Sequence, residues 1–465
     1  MFAACSGTKN AKSEANAQVK YVFLFIGDGM GAAHVNLTES YLSNINNSIG
    51  IKNLTISGFP NFGYCSTYCK NRQITDSGAA GSAIACGQKA DVGVISFYPS
   101  KDSMPKPISI AKIAHNNGLK VGIITSVSID HATPAAFYAV NESRSNYYEI
   151  GLQLAESGFE FFGGGGFLYQ DGKDKTKPNL YDLTENAGYK IYRKYDDLKN
   201  ISPSESKVMF VNPVLLSEAE MPYAIDRQIL GGAALSEIVT AGIKYLDNDK
   251  GFFIMVEGGK IDWASHENDA ATIVNEVKDF DNAIFEAYQF YLAHPDETLI
   301  IVTADHETSG LSLGIAEDNY DSDFAYLKNQ KCSQYYLIGL LNSYKKVNTT
   351  YSLQEAIDIA QTNFFDEKME FTKIEMEQIK LAYNNTFSLS TDFSKEEFYK
   401  FYGGYNPLAV TFNRILNNRA SVGFSSWSHT AAYVPVYSIG KGSENFSGYI
   451  DNTDIKPKIM NLMGW

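Results

Sequence analysis

The sequence predicts an α/β fold: three layers, α/β/α, around a central, mostly parallel sheet, with a largely helical insertion near the C-terminus. Two observations carry this reading. From Lys20 to about Gly310, short apolar runs alternate with helical stretches, as in a series of βαβ units. Four of those runs, at 21–27, 120–127, 251–256 and 298–303, are apolar almost throughout, as strands covered on both faces are. Beyond 311 the pattern changes: Tyr, Asn, Lys and Glu dominate to 425, and 352–363 and 371–384 read as helices. The chain therefore divides into a polar tether at 1–19 and a main domain at 20–465. That domain carries 311–425 as an insertion or cap and resumes its core at Trp427.

Each strand run leads into groups able to bind a ligand. The first, Val22-Phe23-Leu24-Phe25-Ile26, stops at Gly27-Asp28-Gly29-Met30-Gly31, and a helix follows from Ala32 through Leu42. A carboxylate between glycines at a buried strand end suits a hard cation; a helix cap is the plainer alternative. The run 120–127 is followed by His131 and Thr133, the run 251–256 by Glu257, and the run 298–303 by Asp305 and His306. Open α/β sheets place their sites at the carboxyl ends of strands, so four such ends converging on polar groups predict one site. The glycines at 163–166 read as a tight turn.

Bulk properties narrow the classes. With 465 residues, 44% apolar and 20% charged, the chain has the composition of a globular protein with a large core. No apolar run approaches the roughly 20 residues that span a membrane. A net charge of −14 without a basic stripe excludes a nucleic-acid surface. A small phosphate ligand stays admissible, because charges more than about 10 Å away are screened. Five cysteines do not make a disulfide scaffold. Cys65 and Cys69 either pair or remain thiols, Cys86 reads as a core residue, and Cys332 has no evident partner. Ala3-Ala4-Cys5 followed by a polar stretch resembles the processing site of a bacterial lipoprotein. It implies a periplasmic, cell-envelope or extracellular location with a lipid anchor at Cys5.

Three further constellations carry chemistry. In Thr75-Asp76-Ser77-Gly78-Ala79-Ala80-Gly81-Ser82-Ala83, Ser77 opens a helix of small residues, where free backbone N–H groups favour an anion. The alternative is an ordinary cap at Ser77. No Ser-His-Asp or G-x-S-x-G pattern supplies a base, so a nucleophilic Ser77 needs a metal to activate it. In Glu257-Gly258-Gly259-Lys260-Ile261-Asp262-Trp263-Ala264-Ser265-His266, Asp262 and His266 share one helical face, an arrangement suited to zinc. Asp305 and His306 serve one site only if they lie in the loop after their strand, since adjacent strand residues point apart. His429 completes the set, whereas His34, His115 and His294 read as structural.

Together the motifs GDGMG, TDSGAAGSA, HATPAAF, VEGGKIDWASH, TADHETSG and SHTAAYVPV, in this order, resemble the alkaline phosphatase family over 20–310 and 424–440. The resemblance implies hydrolysis of phosphate monoesters through a phosphoserine on Ser77, with two zinc ions and one magnesium ion, and a homodimer as the family's habit. It implies Asp262, His266 and His429 around the first zinc. Asp28, Asp305, His306 and the Ser77 oxygen surround the second, and Asp28, Glu257 and Thr133 the magnesium. Arg144 matches the arginine that clamps phosphate, a task suited to a guanidinium fork; Asp76, with His131 and Trp263, falls in the surroundings of the third metal. Three divalent cations bring about six positive charges against four carboxylates, leaving an excess for a small phosphorylated substrate.

Two positions depart from the best-known bacterial pattern: His131 stands in place of Asp and Trp263 in place of Lys. A histidine beside the oxygen-only site either favours zinc in the third position or loosens magnesium there. The alternatives on the same scaffold are a phosphodiesterase or a sulfatase; a metal-binding protein without catalysis is the alternative from another class. Sulfatases need a Cys/Ser-x-Pro-x-Arg setting, which Ser77 lacks.

Overall fold

The computed structural model describes residues 18–99, 107–316, 318, 320–347, 352–365, 369–387 and 393–465. Apart from residues 18 and 19, the tether expected at the N-terminus lies outside them, as does Cys5. Ten strands form one sheet: β1 (Tyr21–Ile26), β2 (Asn61–Ser66), β3 (Lys120–Thr125), β4 (Phe161–Gly164), β5 (Lys190–Tyr192), β6 (Val208–Val211), β7 (Phe252–Glu257), β8 (Thr298–Thr303), β9 (Val434–Gly440) and β10 (Gly448–Asp451). Their order is β10-β2-β9-β8-β1-β7-β3-β4-β6-β5. Every neighbouring pair is parallel except the two made by β9, which runs antiparallel to both β2 and β8. The apolar run 251–256 shifts by one residue, so that Glu257 closes β7 rather than following it.

The four strands that lead to candidate ligands are neighbours, in the order β8-β1-β7-β3. Ile26 pairs with Glu257 on one side and Thr303 on the other, and Thr125 also pairs with Glu257. Their carboxyl ends therefore lie level. All residues of β1, β7 and β8 are buried, which is why their sequences do not alternate.

Consecutive side chains of a strand point to opposite faces, and β7 shows both covers. Phe252 packs on Phe290 of helix Ala270–Ala293, with ring centroids 5.3 Å apart. Phe253 stacks on Phe137 of helix Ala132–Tyr138 at 6.4 Å. The first helix packs with Leu235–Leu246 and Ala32–Asn44, the second with Ser77–Cys86. Each phenylalanine so buried stabilises the fold by about 1.5–3 kcal/mol.

The glycines at 163–166 are not the turn expected of them. Gly163 and Gly164 close β4 in the sheet. A Cβ on Gly164 would meet Thr125 O at 1.9 Å, and its φ is +138°. Gly164 is glycine because the backbone of β3 presses on it, and Gly165 meets the carbonyls of Val127 and Ala219 in the same way.

Residues 311–425 contain helices Gln334–Val347, Leu353–Phe364, Lys373–Phe387, Lys395–Tyr402 and Pro407–Arg419. Ser352 and Ser394 start two of them, each accepting from the backbone three residues on. Two buried carboxylates tie this region to the sheet domain. Asp269 caps helix Ala270–Ala293 through Thr272 N and also accepts from Gln334 N at 2.7 Å. Asp226 accepts from Ser333 N at 2.8 Å and Ser333 Oγ at 2.6 Å. The four described cysteines are free thiols, Cys65 and Cys69 among them. Among the described residues, no helix is long and apolar enough to cross a membrane.

Burial raises the Asp226 carboxyl from 3.8 to about 6, against the pull of its Ser333 bonds. A raised acid contributes stability that is complete below the unfolded value and lost as pH climbs through the folded one. Asp226→Asn cannot ionise, so its stability relative to the native chain should rise by about 2–3 kcal/mol between those limits. Urea unfolding of both proteins across that pH range measures this difference.

Candidate metal centre

The site begins where β1 ends. Asp28 is fully buried and does not cap the following helix, whose N-cap is Gly31 without a side-chain bond. Gly29 has φ +72°, and a Cβ there would meet Thr308 Oγ1 at 2.7 Å and Asp262 Cα at 3.0 Å. Its amide donates to Asp305 Oδ1 at 3.2 Å. Glycine at this position lets the turn press against two other ligand-bearing segments.

Helix Ser77–Cys86 is capped by Asp76, not by Ser77. Asp76 accepts from Gly78 N at 3.3 Å, Ala79 N at 3.1 Å and Gly93 N at 3.1 Å. Two amides expected to be free for an anion are thus taken. Arg144 Nη1 also donates to Asp76 Oδ2 at 2.9 Å. Burial raises this carboxyl, but Arg144 and the amides outweigh it and hold it below the usual range. Asp76 therefore does three things: it starts the helix, keeps the Ser77 hydroxyl at its tip, and sets the guanidinium beside it. Ser77 Oγ lies 3.3 Å from His306 Nε2.

Hydrogen bonds fix the tautomers of three imidazoles. His266 Nδ1 donates to Trp427 O at 2.7 Å, and His429 Nδ1 to Thr75 O at 2.7 Å. Thr308 Oγ1 gives its own proton to Asp262 Oδ1, so at 3.3 Å it accepts from His306 Nδ1. Each ring, when neutral, turns an unprotonated Nε2 into the same space. There, His266 Nε2 stands 3.2 Å from His429 Nε2 and 3.4 Å from Asp262 Oδ2, and His429 Nε2 stands 3.6 Å from Asp262 Oδ1. His306 Nε2 is 3.3 Å from both Asp28 Oδ1 and Asp305 Oδ2. Lone pairs facing lone pairs at these distances repel unless a cation lies between them.

The carboxylates tell the same story. Three groups each converge within 4.8 Å: Asp262, His306 and His429; Asp28, Asp305 and His306; and Asp28, His131 and Glu257. Asp28 Oδ1, Asp305 Oδ2 and Glu257 Oε1 are buried without a hydrogen-bond partner among the described residues. Burial and mutual repulsion push Asp28 well up, and burial above all lifts Asp305 to about 8 and Glu257 to about 7. Burial also raises Asp262, but the adjacent imidazoles pull it well below the usual range. Buried carboxylates in such proximity are tolerable when cations share their space. The donor set fits divalent metal ions: mixed nitrogen and oxygen in two groups, oxygen-rich in the third.

All the residues singled out in the sequence meet here. Thr133 Oγ1 donates to Asp28 Oδ2 at 3.5 Å. His131 is a member of the third group and not merely its neighbour; its Nε2 is 3.4 Å from Arg144 Nη2. Trp263 packs edge-on against His131 with centroids 5.9 Å apart. Sequence reasoning missed Thr308, which bonds both Asp262 and His306. It missed Thr125, whose hydroxyl holds Glu257 Oε2. It also missed Glu307, which accepts from Gly310 N, Leu311 N and Thr430 Oγ1. Glu307–Thr308 pairs antiparallel with His429–Thr430, and the Glu307 clasp keeps His306 and His429 together. His34, read as structural, supports the helix of Asp262 and His266. Its Nδ1 accepts from Gly31 N, so Nε2 donates to Ser265 Oγ at 3.0 Å. A Thr or Glu beside a ligand carries no signal in sequence alone.

Comparison with known proteins agrees with this geometry. The family model described as alkaline phosphatase matches residues 19–160 and 161–464, running on through the region that the motifs leave bare. The chain is 30% identical over 458 residues to alkaline phosphatase 4 of Bacillus subtilis (strain 168), covering 96% of this chain and 89% of that one. It resembles the crystal structure of a cold-active alkaline phosphatase from Shewanella sp. with a TM-score of 0.77 and 28% identity, over 95% and 99% of the two chains. It also resembles a histidine-to-glutamate variant of the alkaline phosphatase from the Antarctic bacterium TAB5, solved with Mg bound in its M3 site. The TM-score there is 0.65 and the identity 25%, over 97% and 99%. With the family model spanning nearly the whole chain and a relative 30% identical over almost all of it, this chain belongs to the alkaline phosphatase family.

Proposed function

We propose that this phosphatase hydrolyses phosphate monoesters through a phosphoserine formed on Ser77. The observation that carries the reading is the Ser77 hydroxyl, 2% exposed and 3.3 Å from His306 Nε2, at the meeting point of the donor groups. In this reading Asp262, His266 and His429 hold one zinc ion. Asp28, Asp305 and His306 hold a second, next to the Ser77 oxygen. Asp28, Glu257 and Thr133 hold magnesium, an ion that the TAB5 variant binds in its M3 site; His131 within the same group supports zinc there instead. When bound, the ions supply positive charge that favours the serine alkoxide and offsets the charge gathering on the phosphoryl oxygens.

The chain's own groups do the rest. Ser77 Oγ, its proton lost to solvent, attacks phosphorus as the ester P–O bond breaks and the alcohol leaves with a proton. Water then cleaves the phosphoserine to inorganic phosphate and free Ser77, while Asp76 keeps the helix tip in place. The Arg144 fork, anchored by Asp76 through Nη1, turns its other nitrogen toward the phosphoryl oxygens. Positioning and charge neutralisation are what a loose phosphoryl transition state requires. A dianionic monoester matches the positive excess better than a diester. Small phosphorylated compounds of the cell envelope or its surroundings are the proposed substrates.

Three measurements test this reading. Ser77→Ala should lower turnover of an aryl phosphate by at least about 10³-fold; near-native turnover would overturn the nucleophile. A chelator should abolish hydrolysis and added zinc with magnesium should restore it, while the monoester to diester rate ratio stays far above one. Glu307→Ala, by loosening the clasp, should weaken zinc retention about 10–100-fold in a chelator competition, with Glu307→Gln falling between it and the native enzyme.

A further inference from the structure

The stretch 311–425 contains no histidine, and none of its described residues belongs to the three donor groups. Two of its helices nevertheless hold the segment that carries His266. Trp427, where the core resumes after this stretch, makes the first attachment. Its carbonyl accepts from His266 Nδ1 at 2.7 Å, while its indole N–H donates at 3.2 Å to Lys400 O, in the last turn of helix Lys395–Tyr402. The ring lies against Gly403, which ends that helix with φ +62°; a Cβ there would meet Cδ2 and Cε3 of the indole at 2.6 Å. Tyr405 adds a tilted ring contact with centroids 6.3 Å apart. One residue thus joins the inserted helices to a metal-facing imidazole, by its side chain on one side and its backbone on the other.

Helix Pro407–Arg419 makes the second attachment. Asn417 Nδ2 donates to Asn268 O at 2.7 Å, and Asn413 Nδ2 to the same carbonyl at 3.4 Å. Asn268 follows helix Lys260–His266 by two residues in a left-handed conformation, φ +52°. A backbone carbonyl turned inward there needs donors, and the inserted helix supplies them. From the sheet domain, Ser309 O accepts from Ser425 N at 3.0 Å and Ser426 N at 2.9 Å, so the Trp427 loop is held from both sides.

This support is uneven across the centre. Asp28, Asp305 and His306 bond to Thr133, Gly29, Ser77 and Thr308, all within 20–310. His266 has the most exposed side chain of its set, 27% against 12% for His429 and 0% for His306. Packing restrains it least, so the bond from its Nδ1 to Trp427 O decides most about where its Nε2 points.

We propose that Trp427 is a positioning residue through which the inserted helices set how tightly the Asp262, His266 and His429 group retains its ion, while the Asp28, Asp305 and His306 group is independent of them. The inference rests on the zinc assignment proposed above. In it, the region without ligands governs ion retention at one site of the centre.

The experiment treats the holoenzyme with increasing chelator and counts the zinc kept per chain by elemental analysis. His266→Ala identifies the zinc equivalent that belongs to the Asp262, His266 and His429 group. Trp427→Ala, which preserves the main-chain carbonyl but removes the ring, should weaken retention of that equivalent about 10-fold and of any other by less than about 2-fold. Trp427→Phe, which loses the bond to Lys400 O but keeps a ring against Gly403, should fall between Trp427→Ala and the native enzyme. Gly403→Ala and Asn417→Ala, which act from the inserted helices, should weaken the same equivalent, and the zinc that remains reports that each variant is folded. Adding Trp427→Ala to His266→Ala should loosen nothing more. Equal loosening of all zinc equivalents, or of none, overturns the inference and leaves the zinc assignment intact. A native enzyme that holds fewer than two zinc equivalents overturns that assignment and the inference with it.

Discussion

Like-charged and lone-pair atoms forced into one buried volume are the constraint on which the rest depends. Asp28, Asp262, Asp305 and Glu257 bring four carboxylates, and three imidazoles turn their Nε2 nitrogens into the same space, at separations near 3.3 Å. Low dielectric strengthens their repulsion. The scaffold must hold this arrangement against that repulsion before any ion enters, and the surrounding hydrogen bonds show how it does so. Backbone carbonyls of Trp427 and Thr75 orient two rings, Thr308 ties a third to Asp262, and Thr125 steadies Glu257. These outer contacts restrain the ligands so that binding an ion does not have to order them.

The sheet explains why so many groups arrive together. Four neighbouring strands end level, so each contributes a ligand or a ligand's support within one or two residues of its end. β9 and the His429 segment enter from the other direction, antiparallel to β8, and close the ring. The Glu307 clasp joins the two approaches across a two-residue ladder. Small residues along Ser77–Cys86 let that helix pack on Ala132–Tyr138 closely enough for Ser77, Arg144 and His131 to share the site.

Much of this was legible in the sequence, for physical reasons. Runs such as Phe252–Glu257 lack alternation because both faces are covered, which betrays a parallel sheet without naming its order. Asp262 and His266 were readable as a pair because helical geometry fixes their spacing. Ser77 does open its helix, and the cap that the alternative reading puts on Ser77 is Asp76, since two adjacent residues can each cap a helix and only coordinates decide. Gly163 and Gly164 read as a turn in sequence because what presses on them, Ile238 on the first and Thr125 on the second, is a long-range fact. Glu307 and Thr308 carry no signal for the same reason: the partners that bind them into the site, Thr430 and Asp262, lie 123 and 46 residues away.

The place of β9 has a consequence for the order of assembly. It sits between β2 and β8, so that until Val434–Gly440 has been synthesised the sheet stays split, and His429 lies only just ahead of it. Contacts of such long sequence separation form late and slowly. A nascent chain short of β9 thus displays an incomplete donor set, and full coordination waits until that strand has closed the gap.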